Sequence, residues 1–267
     1  MPHMLILGLG YTASRLASRL RADGWQITSV RRAADADALA FDDDGAVRAA
    51  IAQASHILSS VPPQGDTDPV LVRFGAAIAA APAIWTGYLS STGVYGDAAG
   101  AWVDEASPVG LGRRAARAQA DVAWGALRPG MCRFRLPGIY GPGRSALDRV
   151  REGRAHRIDL PGQIFSRVHV DDIVGGIVAS FAGPPGVYNL ADDLPCSQNR
   201  VIEAACDLLS KPWPPLRTLD EAGLSPMARG FYSENRRVAN GRAKRVLGWR
   251  PRFSTFAQGL ADCLSQG

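Results

Sequence analysis

Residues 4–20, reading MLILGLGYTASRLASRL, decide the fold of this chain. A short apolar run stops at the glycines, and apolar residues at helical spacing follow at once. This order of strand, glycine turn and helix, with the spacing G-x-G-x-x-A, is typical of a turn that binds the pyrophosphate of a dinucleotide. The stretch therefore predicts a dinucleotide site, and an ordinary tight turn between strand and helix is the alternative. The residues assigned to the cofactor in this turn are Gly8, Gly10, Tyr11, Thr12 and Ala13.

Strand-like and helix-like runs alternate through the first half of the chain. Strands are predicted at 25–30, 38–41, 56–60, 83–90 and 132–136, and helices at 46–54, 69–80 and 113–127. Such alternation predicts an α/β protein built on a doubly wound parallel sheet of the Rossmann type. At 267 residues the chain also has room for a smaller C-terminal lobe, which we expect to bind substrate.

Composition limits the partners of this chain. No apolar run is long enough to span a bilayer, and the short polar start is not a signal peptide, so we expect a cytoplasmic protein with no membrane partner. The four cysteines are scattered, which predicts buried free thiols and no metal site. The net charge is +5, and only two of the thirty basic residues are lysines. This charge fits a small anionic substrate, and no nucleic-acid-binding pattern accompanies it.

The end of the second predicted strand bears on cofactor choice. Arg31 and Arg32 stand where an acidic residue would bind the ribose 2′-hydroxyl of NAD, whereas arginine accommodates the 2′-phosphate of NADP. The pair therefore favours NADP over NAD, and a solvated pair at a strand end is the alternative. Ser60, Val61 and Pro62 close the strand at 56–60, beside the same crevice, and are assigned to the cofactor as well.

Further motifs follow in order along nearly the whole chain: SSTGVYG at 90–96, EASP at 105–108, RLPGIYGPGR at 135–144, VHVDD at 168–172, YNLA at 188–191 and LGWRP at 247–251. With the glycine turn, they resemble the extended short-chain dehydrogenase/reductases, the group named for NAD-dependent epimerases and dehydratases. The resemblance implies that Ser90, Pro137 and Ile139 line the cofactor site. One departure is the turn itself, since typical extended members carry the longer T-G-x-x-G-x-x-G.

The second departure concerns catalysis. The family uses a Ser or Thr with a Tyr-x-x-x-Lys pair; Ser91 falls on the first position, but Arg113 and Arg117 fall on the other two. A guanidinium stays protonated at working pH, so Arg113 cannot exchange the proton that the tyrosine exchanges, although Arg117 can still contact the nicotinamide ribose. The chain therefore resembles atypical members of the group. Tyr95 and Tyr140 are the candidate substitute proton donors, and packing is the alternative role for both.

Other polar residues of these motifs are candidates for binding substrate. Those assigned to the substrate are Thr92, Arg144, Arg167 and Arg237, with Arg236 as a further candidate anion ligand; surface charge is the alternative for each arginine. His169 is expected to be a hydrogen-bonded core histidine. Asp171 and Asp172 open a helix predicted at 173–181, and we expect at least one of them to cap it.

These assignments define a domain and function hypothesis. Residues 1–143 and 163–182 form the NADP-binding Rossmann domain, with a strand at 163–170 returning to its sheet, and residues 144–162 and 183–267 form the substrate lobe. The predicted function is an NADP-dependent oxidoreductase or epimerase acting on a small anionic substrate, sugar nucleotides included. A catalytically inactive NADP-binding redox sensor or scaffold is the alternative. Relatives also dimerise through the helix that carries Arg113 and Arg117, which leaves a homodimer open.

The arginine pair gives a direct test of cofactor choice. If Arg31 and Arg32 bind a 2′-phosphate, NADPH binds much more tightly than NADH in a fluorescence titration. Replacing them together, Arg31→Asp with Arg32→Ser, then shifts the preference toward NADH. Equal affinities of the unmodified protein for the two cofactors would reject the assignment.

Overall fold

The computed structural model describes residues 1–34, 37–110, 112 and 115–266. Its strands are β1 His3–Leu7, β2 Gln26–Arg31, β3 Ala38–Ala40, β4 His56–Ser59, β5 Trp85–Ser91, β6 Trp102–Val103, β7 Met131–Leu136, β8 Gly138–Tyr140, β9 Arg157–Ile158, β10 Arg167–His169, β11 Gly186–Asn189, β12 Leu216–Arg217 and β13 Arg237–Val238. Its α-helices are α1 Tyr11–Ala22, α2 Asp44–Gln53, α3 Pro69–Ala80, α4 Ala115–Leu127, α5 Ala146–Arg151, α6 Val170–Ala179, α7 Gln198–Leu208, α8 Pro226–Gly230, α9 Gly241–Val246 and α10 Phe256–Ser265. Short 3₁₀ turns cover Thr92–Tyr95 and Phe231–Ser233.

Seven of these strands form one parallel sheet, in the order β3-β2-β1-β4-β5-β7-β11. Strands β2 and β3 lie on one side of β1, and the later strands β4, β5, β7 and β11 lie on its other side. The strand order therefore reverses between β1 and β4, and the crevice outside the carboxyl ends of these two strands is where such sheets bind ligands. The predicted fold class, a doubly wound Rossmann sheet, is confirmed.

Strand β1 shows why the sheet is buried on both faces. Its residues Met4 and Ile6 pack toward one cluster of apolar side chains, which includes residues of α1 and α6. Leu5 and Leu7 point to the opposite cluster, which includes residues of α2, α3 and α4. A continuous apolar run is the pattern expected of a central strand covered on both sides.

The caps of α2 and α6 differ in how well the local sequence predicts them. Asp43 caps α2, because its carboxylate accepts the Ala46 N–H at 2.9 Å. The expected aspartate cap of α6 is wrong: the buried His169 ring occupies the cap position and accepts the Asp171 N–H at 3.2 Å. Asp172 instead accepts the backbone N–H of Arg252 at 2.5 Å, about eighty residues along the chain.

A third apolar cluster joins α5, α7 and α10 into a lobe beside the sheet; its members include Leu147, Val201, Ile202, Phe256 and Leu260. Two expectations about this region are corrected. Strand β10 pairs with β8 in a separate two-stranded sheet and does not return to the main sheet. Strand β11, within the range 183–267 that we assigned to the lobe, is the seventh strand of the main sheet. Among the described residues, no helix has both the length and the apolar character of a membrane span.

Asp192, just after β11, makes stability depend on pH. One carboxylate oxygen accepts the Leu194 N–H at 3.3 Å and the other is buried without a hydrogen bond among the described atoms. Burial raises the pKa of Asp192 to about 7. The unfolded chain releases this proton near pH 4, so the folded state binds more protons than the unfolded state between about pH 4 and 7, and stability falls as pH rises through that window.

We therefore expect the wild type to lose about 1–3 kcal/mol of unfolding free energy relative to Asp192→Asn as pH rises from 5 to 8. Urea unfolding of both proteins across that range measures the difference. Asp23→Asn is the control, because Asp23 is exposed at the end of α1, pairs with Arg19 at 2.8 Å and is not among the charges that shift the pKa of Asp192, so this change should leave the pH dependence unchanged. A pH-independent difference between wild type and Asp192→Asn would contradict the assignment.

Candidate cofactor and substrate site

The glycine turn after β1 is held by its neighbours at the carboxyl edge. Gly8 has φ +91°, and a Cβ there would lie 2.8 Å from Cγ2 of Val61, so only glycine fits. The Gly8 N–H donates to the Val30 carbonyl at 3.0 Å, and the Ser60 hydroxyl donates to the Gly8 carbonyl. The turn is therefore fixed between the ends of β2 and β4.

Helix α1 opens directly after this turn. Gly10 is its N-cap residue and provides no side-chain hydrogen bond, and its first turn contains no acidic residue. A Cβ on Gly10 would meet nothing within 4 Å, so the space in front of the helix is open. The first N–H groups of a helix have no partner within the helix and attract phosphate. This donor set fits the pyrophosphate of a dinucleotide.

A cavity of about 930 Å³ runs from this turn along the carboxyl edge to the lobe. Of the residues predicted from the sequence, it brings together Gly10, Tyr11, Thr12, Ala13, Ser60, Pro62, Ser90, Ser91, Thr92, Arg117, Pro137, Ile139 and Arg144. Gly8, Val61, Arg31 and Arg32 lie outside its lining, although Gly8 and Val61 shape the turn and Arg31 ends β2. Arg113 lies outside the described residues.

Tyr11 connects the dinucleotide turn to the loop after β8. Its hydroxyl donates to the Pro142 carbonyl at 3.0 Å, and burial raises the pKa of this phenol to about 12. The guanidinium of Arg144 lies over the Tyr11 ring, 5.6 Å from its centroid. Arg144 is therefore placed beside the predicted pyrophosphate position.

Ser91, Thr92 and Arg117 lie in the cavity wall, at the end of β5 and on α4. The Ser91 hydroxyl oxygen accepts the Gly93 N–H at 3.1 Å, which leaves its own proton to donate. Behind them, Tyr88 is fully buried and stacks on Trp124, with ring centroids 5.1 Å apart. Burial raises the pKa of Tyr88 to about 12 although the nearby Arg117 cation opposes the shift. Arg117 thus adds a positive charge at this wall.

Neither tyrosine proposed from the sequence is placed to transfer a proton. The Tyr95 hydroxyl donates to Oδ1 of Asn189 at 2.7 Å and accepts from Arg135 at 3.1 Å, inside the core. Tyr140 packs in the lobe core, with its ring 5.2 Å from that of His169. Tyr95 lies outside the cavity lining, and Tyr140 lines only a small adjoining cavity of about 90 Å³, so this geometry favours the packing alternative for both.

Two arginines assigned to the substrate are structural instead. Arg167 is buried, and its guanidinium donates to the carbonyls of Phe165 at 3.0 Å and Cys196 at 3.2 Å, and to Oε1 of Gln198 at 3.3 Å. Arg237 donates to the Gly100 carbonyl, beside the pairing of β13 with β6. Arg167 lines only a small adjoining cavity of about 90 Å³ and Arg237 lines neither cavity, so their contacts favour a structural role for both.

The lobe contributes cavity residues that the sequence analysis missed: Arg149, Arg154, His156, Phe165, Gln198, Phe231, Tyr232 and Glu234, beside the Arg236 that it did name. Arg236 pairs with Glu234 at 2.9 Å, and Arg154 pairs with Glu152. Within the described residues, the side chains of Arg117, Arg144 and Arg149 have no carboxylate at ion-pair distance. The cavity therefore carries uncompensated positive charge.

One group of potential metal ligands lies on the lobe side of α6. His169, Asp171 and Asp262 hold their ligand atoms within 4.8 Å of one another. Arg15 and Arg252 face the two carboxylates, each at 3.7 Å, so cations already neutralise this group.

The fold and this crevice resemble those of the extended short-chain dehydrogenase/reductases, and the site is suited to a nicotinamide dinucleotide. No family model matches the chain. A solved protein of unknown function from Silicibacter pomeroyi DSS is 40% identical, with a TM-score of 0.90 over 100% of this chain and 99% of its own. The chain belongs to the same family as that protein.

Two further solved structures share the fold at low identity. The human epimerase family protein SDR39U1, solved with NADPH, is 17% identical, with a TM-score of 0.80 over 99% of this chain and 100% of its own. The dTDP-glucose 4,6-dehydratase of Bacillus anthracis str. Ames, solved with NAD, is 17% identical, with a TM-score of 0.77 over 99% of this chain and 96% of its own. Both nicotinamide cofactors therefore occur on this fold.

A curated relative matches part of the chain. It is a 3-diazoavenalumate denitrifying reductase from Streptomyces sp, 32% identical over 134 residues. The match covers 46% of this chain and 43% of the relative, so the aligned segment spans less than half of either protein.

Removing the Tyr95 hydroxyl separates structure from catalysis. Tyr95→Phe removes the hydroxyl that pairs with Nη1 of Arg135 and Oδ1 of Asn189, so we expect a loss of about 1–3 kcal/mol in unfolding free energy and no change in NADPH affinity. Tyr140→Phe is the matched control: its hydroxyl is buried without a hydrogen bond among the described atoms, so the loss should be about 0.5 kcal/mol or less. Denaturant unfolding and NADPH titration measure both. If either variant folds and binds NADPH normally but has no turnover, the tyrosine replaced in that variant is a proton donor after all.

Proposed function

We propose that this protein binds NADP(H) and catalyses reduction or epimerisation of a small anionic substrate. The observation that carries the proposal is the continuity of one cavity, which joins the uncapped start of α1 to an arginine-lined lobe and includes Ser91 and Arg117 in its wall. Anion-binding donors thus occur at both ends, one set suited to the cofactor pyrophosphate and the other to a substrate.

The cofactor would lie across the carboxyl edge from the α1 turn to the end of β5. Arg31 ends β2 and Arg32 follows it, and both are exposed beside the strand that carries the glycine turn. This position supports contact with a 2′-phosphate and therefore NADP. The NADPH complex of the human neighbour agrees with this choice, whereas the NAD complex of the Bacillus neighbour keeps NAD as the competitor.

A bound nicotinamide supplies a hydride in its reduced form and accepts one in its oxidised form. The Ser91 hydroxyl and the Arg117 guanidinium donate hydrogen bonds to the substrate oxygen on which negative charge develops. For a carbonyl substrate, a bound reduced nicotinamide would supply the hydride for the new C–H bond, and solvent that enters the open cavity would protonate the oxygen to give an alcohol. The guanidinium itself keeps its protons.

The names of the similar proteins suggest two reaction types for this chain. The Streptomyces relative is named a reductase, which favours net reduction for this chain, whereas the Bacillus neighbour, named a dehydratase of dTDP-glucose, keeps sugar-nucleotide chemistry open. The second candidate function is an NADP-binding sensor without turnover. It is favoured by the arginines at 113 and 117, where the family carries its tyrosine and lysine.

A homodimer belongs to the same proposal. Val72 on α3 and Val122 on α4 are 75% and 54% exposed, which leaves apolar side chains uncovered on these neighbouring helices. Pairing of this face with a second copy would cover both side chains.

Reduction is tested by NADPH oxidation with 4-carboxybenzaldehyde, an anionic carbonyl compound, and epimerisation is tested by chromatography of UDP-glucose and UDP-glucuronic acid after incubation with the NADP⁺-loaded protein. With the substrate that reacts, Ser91→Ala and Arg117→Met should each lower kcat by about 100-fold or more, as the loss of a donor to a developing oxyanion does. Gln119→Met is the control, on the exposed face of the same helix α4, and should keep full activity. If the protein clearly binds NADPH but turns over none of these substrates, the enzyme hypothesis is rejected in favour of the sensor.

A further inference from the structure

The lobe half of the cavity has an unusual lining for a sugar site. The neutral hydrogen-bonding side chains that the described part of the lobe presents to it are Gln198, Tyr232 and His156. The remaining lining consists mainly of arginines and aromatic rings. A sugar buries many hydroxyl groups, and each costs free energy unless it finds a hydrogen-bond partner. The lining therefore favours a ligand with an apolar body and few hydroxyl groups.

Two aromatic side chains form the apolar part of this wall. The rings of Phe165 and Tyr232 meet edge to face, with centroids 5.4 Å apart and planes at 88°. Such a pair offers a flat face and an edge to a third ring, and aromatic contacts of this kind add to the free energy of burial. A planar ring is therefore the shape that this wall complements.

Arg149 supplies the charge beside this pair. Its guanidinium has no hydrogen bond or ion pair within the described residues, and it is reachable through the cavity. Burial lowers the pKa of Arg149, and the neighbouring cations Arg154 and Arg144 act in the same direction, while the Tyr232 phenol opposes them. A carboxylate placed there would offset this repulsion and form a charge-assisted hydrogen bond.

The other two arginines without a carboxylate partner among the described residues lie in other parts of the cavity. Arg144 lies over Tyr11, beside the pyrophosphate position, and Arg117 stands in the wall with Ser91. Glu234, the carboxylate of the lining, is paired with Arg236 and so repels an incoming anion less than a free carboxylate would. Arg149 is therefore the arginine available to bind the charged end of the substrate.

We propose that the lobe half of the cavity binds a planar aromatic carboxylic acid, whose ring lies against Phe165 and Tyr232 and whose carboxylate pairs with Arg149. This assignment rests on the proposed function, since it names the substrate class of the same site. The ring directs the opposite, reactive end of the acid toward Ser91 and Arg117.

The test is calorimetric titration of the NADP-loaded protein with trans-cinnamate, its uncharged amide cinnamide, the non-aromatic 3-cyclohexylpropanoate and UDP-glucose. Cinnamate should bind at least about tenfold more tightly than the amide and should lose roughly 10- to 100-fold in affinity on Arg149→Met, with partial recovery in Arg149→Lys. Phe165→Leu should weaken cinnamate more than 3-cyclohexylpropanoate. Arg151→Met, an exposed arginine on the same helix α5, is the control and should change nothing.

NADPH affinity is measured on every variant, because a merely structural role of Arg149 would lower it along with cinnamate affinity. Absence of cinnamate binding, or cinnamate binding that Arg149→Met leaves unchanged, overturns the inference. Binding of UDP-glucose in preference to cinnamate replaces the aromatic acid by a nucleotide sugar. If NADPH does not bind the wild type, the proposed function fails first, and cinnamate titration of the cofactor-free protein still decides the inference.

Discussion

The start of helix α1 lacks a side-chain cap, and the surrounding loops are arranged to keep it open. Gly8 turns the chain at a φ that other residues avoid, and the Ser60 hydroxyl holds this turn by its carbonyl instead of entering the space in front of the helix. Tyr11, at the first helical position, points away to the Pro142 carbonyl. The N–H donors of the first turn are therefore directed at an open volume, where a phosphate provides the charge that the helix end attracts.

The lobe end of the same cavity is likewise prepared to bind an anion, because it carries uncompensated positive charge. Arg149 has no carboxylate partner among the described residues, and burial together with neighbouring cations lowers its pKa, so the ligand-free lobe contains repulsion that an anion removes. Ligand binding of this kind stabilises the folded protein through mass action as well as completing the site. The lobe core of α5, α7 and α10 provides the rigid support on which these charges are held.

Local pattern determines much of this fold, because β1 and α1 follow from apolar spacing and the glycine turn alone. The errors arise where a side chain bonds far along the chain. Tyr95 looked catalytic by its motif, but Asn189 holds its hydroxyl from 94 residues away. Arg167 looked like an anion ligand, but the carbonyls of Cys196 and Ser197, 29 and 30 residues along the chain, accept hydrogen bonds from its guanidinium. The lobe arginines were missed for a different reason: in a chain this rich in arginine, a single one on a short helix carries no distinguishing signal.

Arginines at 113 and 117 separate two tasks that a tyrosine–lysine pair combines. A phenol both orients a substrate oxygen and gives it a proton, whereas a guanidinium orients the oxygen and stabilises its charge while retaining its protons. The cavity is open enough to admit solvent beside Arg117 and Ser91, and the two candidate proton donors, Tyr95 and Tyr140, are buried elsewhere. In the proposed enzyme, solvent would therefore deliver the proton, and the protein would contribute electrostatic stabilisation and the position at which an anionic group anchors the substrate.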